Sequence, residues 1–200
     1  MTTVGAGDAF LGHYRLAVKT SIWRENGNIA PAREFQDIET LIGSVPPDGV
    51  MKQRPGLHMS PTATNEEKLA AAPTRFLEEQ VNVTVPAYLW FVRKETDNDY
   101  HLILGSTADG GATYMTSEVS GLPPGGEDLD TLSNVRGQLA TLVGHLDVSP
   151  VYQQQTPPRP VQVTGSLFFD GDHSAGEVGP DGYRPQTVWE IHPVIDLQAR

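Results

Sequence analysis

A mainly β architecture with helices is predicted by three observations on this 200-residue chain. Beyond residue 80, runs rich in β-branched and aromatic residues alternate in polarity with period two, as half-buried strands do. One stretch, 127–146, instead repeats its apolar residues at i, i+3 and i+4, as a helix does. Turn residues separate these runs, and 20 glycines with 16 prolines make the chain loop-rich. The resulting order, β-β-β-α-β-β, is that of the OB-fold, a small Greek-key barrel. Residues 81–200 are read as a five-stranded OB-like barrel with a helix between strands 3 and 4, and residues 1–80 as an N-terminal α/β extension.

In the extension, residues 12–23 alternate. Tyr14, Leu16, Val18 and Ile22 face one way and Arg15, Lys19 and Ser21 the other, which predicts a strand. Asn26-Gly27 marks a turn. Phe35, Ile38, Leu41 and Ile42 predict a helix over 32–43, with Pro31 just ahead of it. Residues 44–64, with Pro46-Pro47-Asp48-Gly49, Pro55-Gly56 and Pro61, read as loop. Residues 65–80 read as a helix broken at Pro73.

The first barrel strand puts Val81, Val83, Val85, Ala87, Leu89 and Phe91 on one face. In the second, Tyr100, Leu102 and Leu104 oppose His101 and Ile103. After the Asp109-Gly110-Gly111 turn, Met115 and Val119 point inward, and Tyr114, Thr116 and Glu118 outward. The helix carries Leu129, Leu132, Val135, Leu139, Leu142, Val143 and Leu146 as one stripe. Glu127, Asp128 and Asp130 stand at its start and His145 near its end, as the helix dipole favours. A proline-rich loop ending at Pro160 leads to a strand with Val161, Val163, Gly165, Leu167 and Phe169 inward; Gly165 suits a sharply bent strand. The last strand places Trp189, Ile191, Ile195 and Leu197 inward, and Glu190 and His192 outward.

With no cysteine, disulfides, thiolate metal sites and cysteine nucleophiles are excluded. The start, MTTVGAGDAF, has no basic and apolar leader pattern, and no apolar run approaches a membrane span. A cytoplasmic protein without membrane contact is expected. Net charge is −11, and residues 81–200 hold 15 acidic but only 6 basic residues. Phosphate backbones are bound mainly through Lys and Arg, so this charge argues against a nucleic-acid partner.

The runs Asp99-Tyr100-His101-Leu102-Ile103-Leu104, Glu118-Val119-Ser120-Gly121-Leu122-Pro123, Val163-Thr164-Gly165 to Asp170 with His173 following, and Trp189-Glu190-Ile191-His192-Pro193-Val194 resemble a group of uncharacterised bacterial proteins. The resemblance covers about residues 80–197. It implies an OB-like barrel and bacterial kinship, and no reaction class.

The candidate site is a polar cluster of His101, Glu118, Glu190 and His192, outward residues of the second, third and fifth barrel strands. Asp99 shares the parity of His101, and His173 precedes the last strand. Imidazole with carboxylate binds zinc or a similar divalent ion, or moves protons. The competing reading is a polar network that pins strand register, since no compact H-x-x-H or H-E-x-x-H occurs. Tyr88, Trp90 and Tyr114 form an outward aromatic face on which bases could stack, with Arg93 and Lys94 nearby; the alternative is that the extension covers them. The loop Asp170-Gly171-Asp172-His173-Ser174 lacks the full calcium-loop frame. Gly5-Ala6-Gly7 and Gly125-Gly126 lack phosphate-loop context.

The expected function is a non-enzymatic binding or scaffold module acting on a protein or another copy of itself. No catalytic residue is assigned and no cofactor is expected beyond the divalent metal just named. The alternatives are a single-stranded nucleic-acid binder and a metal-dependent hydrolase built on the His/Glu cluster.

Overall fold

The computed structural model describes residues 4–57, 59–60, 62–110 and 112–200. Residues 1–3 of the expected N-terminal reading, Pro61 of the loop-rich stretch and Gly111 of its turn lie outside the described residues. The fold is mixed α/β around one large sheet.

The extension contains α1 (Leu16–Lys19), β1 (Arg24–Glu25), β2 (Asn28–Ile29), β3 (Ala32–Glu34), α2 (Ile38–Ser44), α3 (Asp48–Met51) and α4 (Asn65–Leu69), then a single 3-10 turn at Leu77–Glu79. The strand expected over 12–23 is not formed. Tyr14, Val18 and Ile22 are buried as the period required, but Leu16 is exposed, and Arg15 and Lys19, expected on the outer side, are buried. Arg15, however, adopts a left-handed conformation (φ 47°) that breaks extension and starts α1. The helix expected over 32–43 begins late. Residues 32–34 form β3, and α2 starts at Ile38, where Asp37 and Thr40 form a reciprocal capping box. A Thr64–Glu67 capping box starts α4, and the Phe76 amide donating to the Glu79 carboxylate starts the 3-10 turn, so 65–80 is split in two.

The remaining elements are β4 (Asn82–Lys94), β5 (Tyr100–Gly105), β6 (Tyr114–Val119), α5 (Leu129–Val143), β7 (Gln153–Phe169) and β8 (Trp189–Ala199). The sheet is six-stranded, in the order β3-β4-β5-β6-β8-β7, with β4 also pairing β7. The sixth strand is β3, which pairs in parallel with residues 82–84, a stretch of β4 that β5 does not reach. β6 and β8 are parallel and the other long-strand pairs are antiparallel. β7 starts earlier than its prolines suggest: residues 153–160 already pair along β4.

One core fills the inner face. Leu102, Leu104, Met115, Val163, Trp189 and Ile191 meet Val135 and Leu139 of α5 there, and the extension adds Ile38, Leu41, Met51 and Leu57. Two expected facings are corrected by bulges. A register shift between Leu89 and Phe91 turns Phe91 to the outer face and Val92 inward. Shifts around Gly165 bring Val194 rather than Ile195 into the core.

At Gly165, β7 and β8 approach each other closely. A Cβ there would lie 2.5 Å from both the Pro193 carbonyl oxygen and Ile191 Cγ2. Gly165→Ala is therefore expected to cost about 1–3 kcal/mol through forced backbone displacement. A urea midpoint equal to wild type would show that the crossing is slack.

Candidate functional site

Cross-strand register assembles the cluster. His101 of β5 is directly opposite Glu118 of β6. Thr116 and Ser117 of β6 run beside Glu190 and Ile191 of β8. Alternate residues share a face, so Glu118, Glu190 and His192 project together, with Asp99 two residues before His101. All four sequence-predicted members of the cluster come together on the outer face of the sheet.

That face is covered. Phe168 packs on the His192 ring, α1 brings Lys19 over Glu118, and Tyr152 stands against His101. The side chains of Asp99, His101, Glu118, Glu190 and His192 are all more than nine-tenths buried. Glu118 Oε1 lies 3.0 Å from His101 Nε2, and Glu118 Oε2 lies 2.7 Å from His192 Nδ1. Glu190 Oε2 is 3.6 Å from His192 Nδ1, and Asp99 Oδ2 is 3.6 Å from His192 Nε2. None of these approaches is aligned as a hydrogen bond. His101 Nε2, both nitrogens of His192, Glu118 Oε2, Glu190 Oε2 and Asp99 Oδ2 are all buried without a hydrogen-bond partner.

Unpartnered buried polar atoms are costly, and charge sharpens the problem. Three carboxylates face one ammonium, Lys19. Without a further cation, protons must supply the balance. Burial would lower the His101 pKa, but Glu118 and its neighbours hold it well above the ordinary value. His192, likewise opposed by burial, is raised to about 9 by Glu118, Glu190 and Asp99. Burial would raise the Glu118 pKa, yet Lys19, His192 and His101 bring it well below the carboxylate range. Burial pushes Asp99 up, against the pull of His192.

A cleft of about 740 Å³ opens beside the cluster and reaches Lys19, His101 and Glu118 at its floor. Arg93, Glu95, Tyr152 and Arg184 are among the residues lining it. His173 lines this cleft and a second one of about 320 Å³, which also meets Lys19. Its Nδ1 is hydrogen-bonded to buried Asp170, and that bond raises its pKa to about 9. The raised pKa gives a pH-dependent stability: the gain is full below the unfolded value near 6.5 and lost as pH rises through about 9. His173→Asn should make the stability profile shallower over that window, with the contribution of His192 remaining, read from urea midpoints; an unchanged profile would refute the assignment.

The aromatic candidates fare differently. Trp90 and Tyr114 are 6% and 2% exposed, and Tyr88 is half-buried. Tyr183, from the loop before β8, packs against both Trp90 and Tyr114. What covers them is this loop, rather than the extension.

Sequence reasoning missed Lys19, which its strand parity assigned to solvent, and the supporting roles of Tyr152 and Glu95. Nothing in their local sequence marks them, since they reach the cluster from distant segments. The Asp170–His173 contact is four-residue turn chemistry and was legible only as such. Among the described residues, no helix is long and apolar enough to cross a membrane. No family model, curated protein or solved structure matches the chain.

Proposed function

We propose that the protein is a divalent-metal-dependent hydrolase whose ion is held by His101 and Glu118, which line the cleft, and by Glu190 behind them. The observation that carries this reading is the set of converging donor atoms that are close, buried and not hydrogen-bonded to each other. His101 Nε2 lies 3.0 Å from Glu118 Oε1 and 4.0 Å from Glu190 Oε1, separations that a common point about 2 Å from each donor can span. One imidazole with two carboxylates suits zinc, manganese or iron. Three protein ligands leave a coordination position for water on the cleft side, and a metal-bound water ionises near neutral pH. The ester or amide to be cleaved would enter along the cleft, past Arg93 and Arg184.

The scaffold for this site is read as an OB-type barrel. Supporting that are the pairings β4-β5-β6-β8-β7 and back to β4, the parallel β6–β8 pair, and α5 between the third and fourth of these strands. A binding or scaffold role is the second reading. It is favoured by the same ion pairs, which balance internally if both imidazoles are protonated.

Elemental analysis of full-length protein purified without chelator or affinity tag separates the two. The hydrolase reading expects a near-stoichiometric transition metal, and hydrolysis of a chromogenic ester panel that is abolished by chelation and restored by zinc or manganese. Protein that carries no metal and takes up neither ion at micromolar concentration would overturn it.

A further inference from the structure

Two sets of potential ligands, not one, are present in the cluster. His101, Glu118 and Glu190 form the first, and Asp99, Glu118 and His192 the second; within each set the donor atoms lie within 4.8 Å of one another. No set among the described residues contains both imidazoles, so one ion cannot use His101 and His192 together as these side chains stand. Glu118 alone belongs to both. Its two oxygens go to different rings, Oε1 to His101 Nε2 and Oε2 to His192 Nδ1. A carboxylate that sends one oxygen each way is how two ions about 3.5–4 Å apart are bridged.

The outer partners fit the same arrangement. A ligating imidazole usually has its other nitrogen held by a carboxylate or hydroxyl. His101 Nδ1 meets the Tyr152 hydroxyl at 2.7 Å, with Glu95 Oε1 at 3.4 Å. That leaves Nε2, buried and unpartnered, aimed at Glu118. His192 and Asp99, on the deeper side, also carry buried atoms with no hydrogen-bond partner. A single ion at the cleft floor would leave those atoms unsatisfied.

We propose that the cluster is a binuclear centre for two divalent cations bridged by Glu118, the outer ion held by His101 and Glu190 and the deeper one by His192 Nδ1, with Asp99 holding the other ring nitrogen, Nε2. This rests on the reading that the cluster binds metal. The deeper ion would lie under Phe168, away from the cleft, and would act on the bridging carboxylate and any shared hydroxide rather than touch substrate directly.

Manganese alone is the probe. Full-length apoprotein titrated with Mn²⁺ should take up two ions per chain by elemental analysis after desalting. Its electron paramagnetic resonance should show an exchange-coupled pair at saturation, in place of the six-line spectrum of isolated Mn²⁺. His192→Gln should reduce uptake to one ion and restore the six-line spectrum, and Glu118→Gln should remove the coupling. Uptake of one ion by the wild type, or two uncoupled ions, would overturn the binuclear proposal while leaving a metal site in place. Uptake of none would overturn both. The wild-type spectrum decides the question even if a variant fails to fold.

Discussion

Glu79→Ala is expected to lower the stability of the folded chain by about 3–5 kcal/mol, the range for leaving a buried charge without its partner. Arg15 and Glu79 are both fully buried, and the guanidinium meets the carboxylate with two hydrogen bonds, at 2.6 and 2.7 Å. Glu79 also accepts from the backbone amides of Phe76 and Phe169, each at 2.8 Å. Arg15 donates further to the carbonyls of Ala72 and Thr74. Removing the carboxylate strands a cation and two amides at once. Glu79→Gln keeps the shape and much of the hydrogen bonding, and should lose less. Urea titrations of the two variants check this; a loss below about 1 kcal/mol for the alanine variant would mean that water reaches the site.

The second large effect concerns Glu118. In wild type, a saturating divalent ion should raise stability by about 2.7 kcal/mol at a concentration 100 times Kd. Glu118→Gln should weaken ion binding by at least about 100-fold, because even outer partners of metal ligands are worth 10–100-fold. The stabilisation by metal should vanish with it. The metal-free variant should be only modestly weaker than metal-free wild type, by about 1–3 kcal/mol, as Lys19 and the two imidazoles lose their nearest counter-charge. Calorimetric melting with and without zinc gives both quantities. Equal metal-induced shifts in the two proteins would exclude Glu118 as a ligand.

The parts of the fold that could be read from sequence are those where one periodicity governs a whole element. The outward set of His101, Glu118, Glu190 and His192 follows from strand parity alone, and α5 from its leucine and valine stripe. Reading failed where a single residue resets parity or conformation. The bulge at Trp90 turned Phe91 outward, and the left-handed Arg15 turned an alternating run into α1. Both events depend on tertiary partners: the bulge on strands β5 and β7, and Arg15 on Glu79, which is 64 residues away. The cluster was legible as a face but not as a buried one, because its cover comes from α1, Phe168 and Tyr152.

Arg15 and its neighbours bind the extension to segments made much later. Arg15 bonds the Phe169 carbonyl, Arg24 bonds Asp128, and the Trp23 amide bonds Ser166. During synthesis, residues 1–80 leave the ribosome before the strands that they will pack against. At about 5–20 residues per second they wait on the order of ten seconds for those partners. In that interval Tyr14, Val18, Ile38, Leu41 and Met51 have no core to enter. Docking of the extension must therefore wait for the late segments, through long-range contacts of the kind that form slowly. The nascent chain is open to chaperone capture for that whole interval, and the His/Glu cluster is fully enclosed only when Lys19 docks.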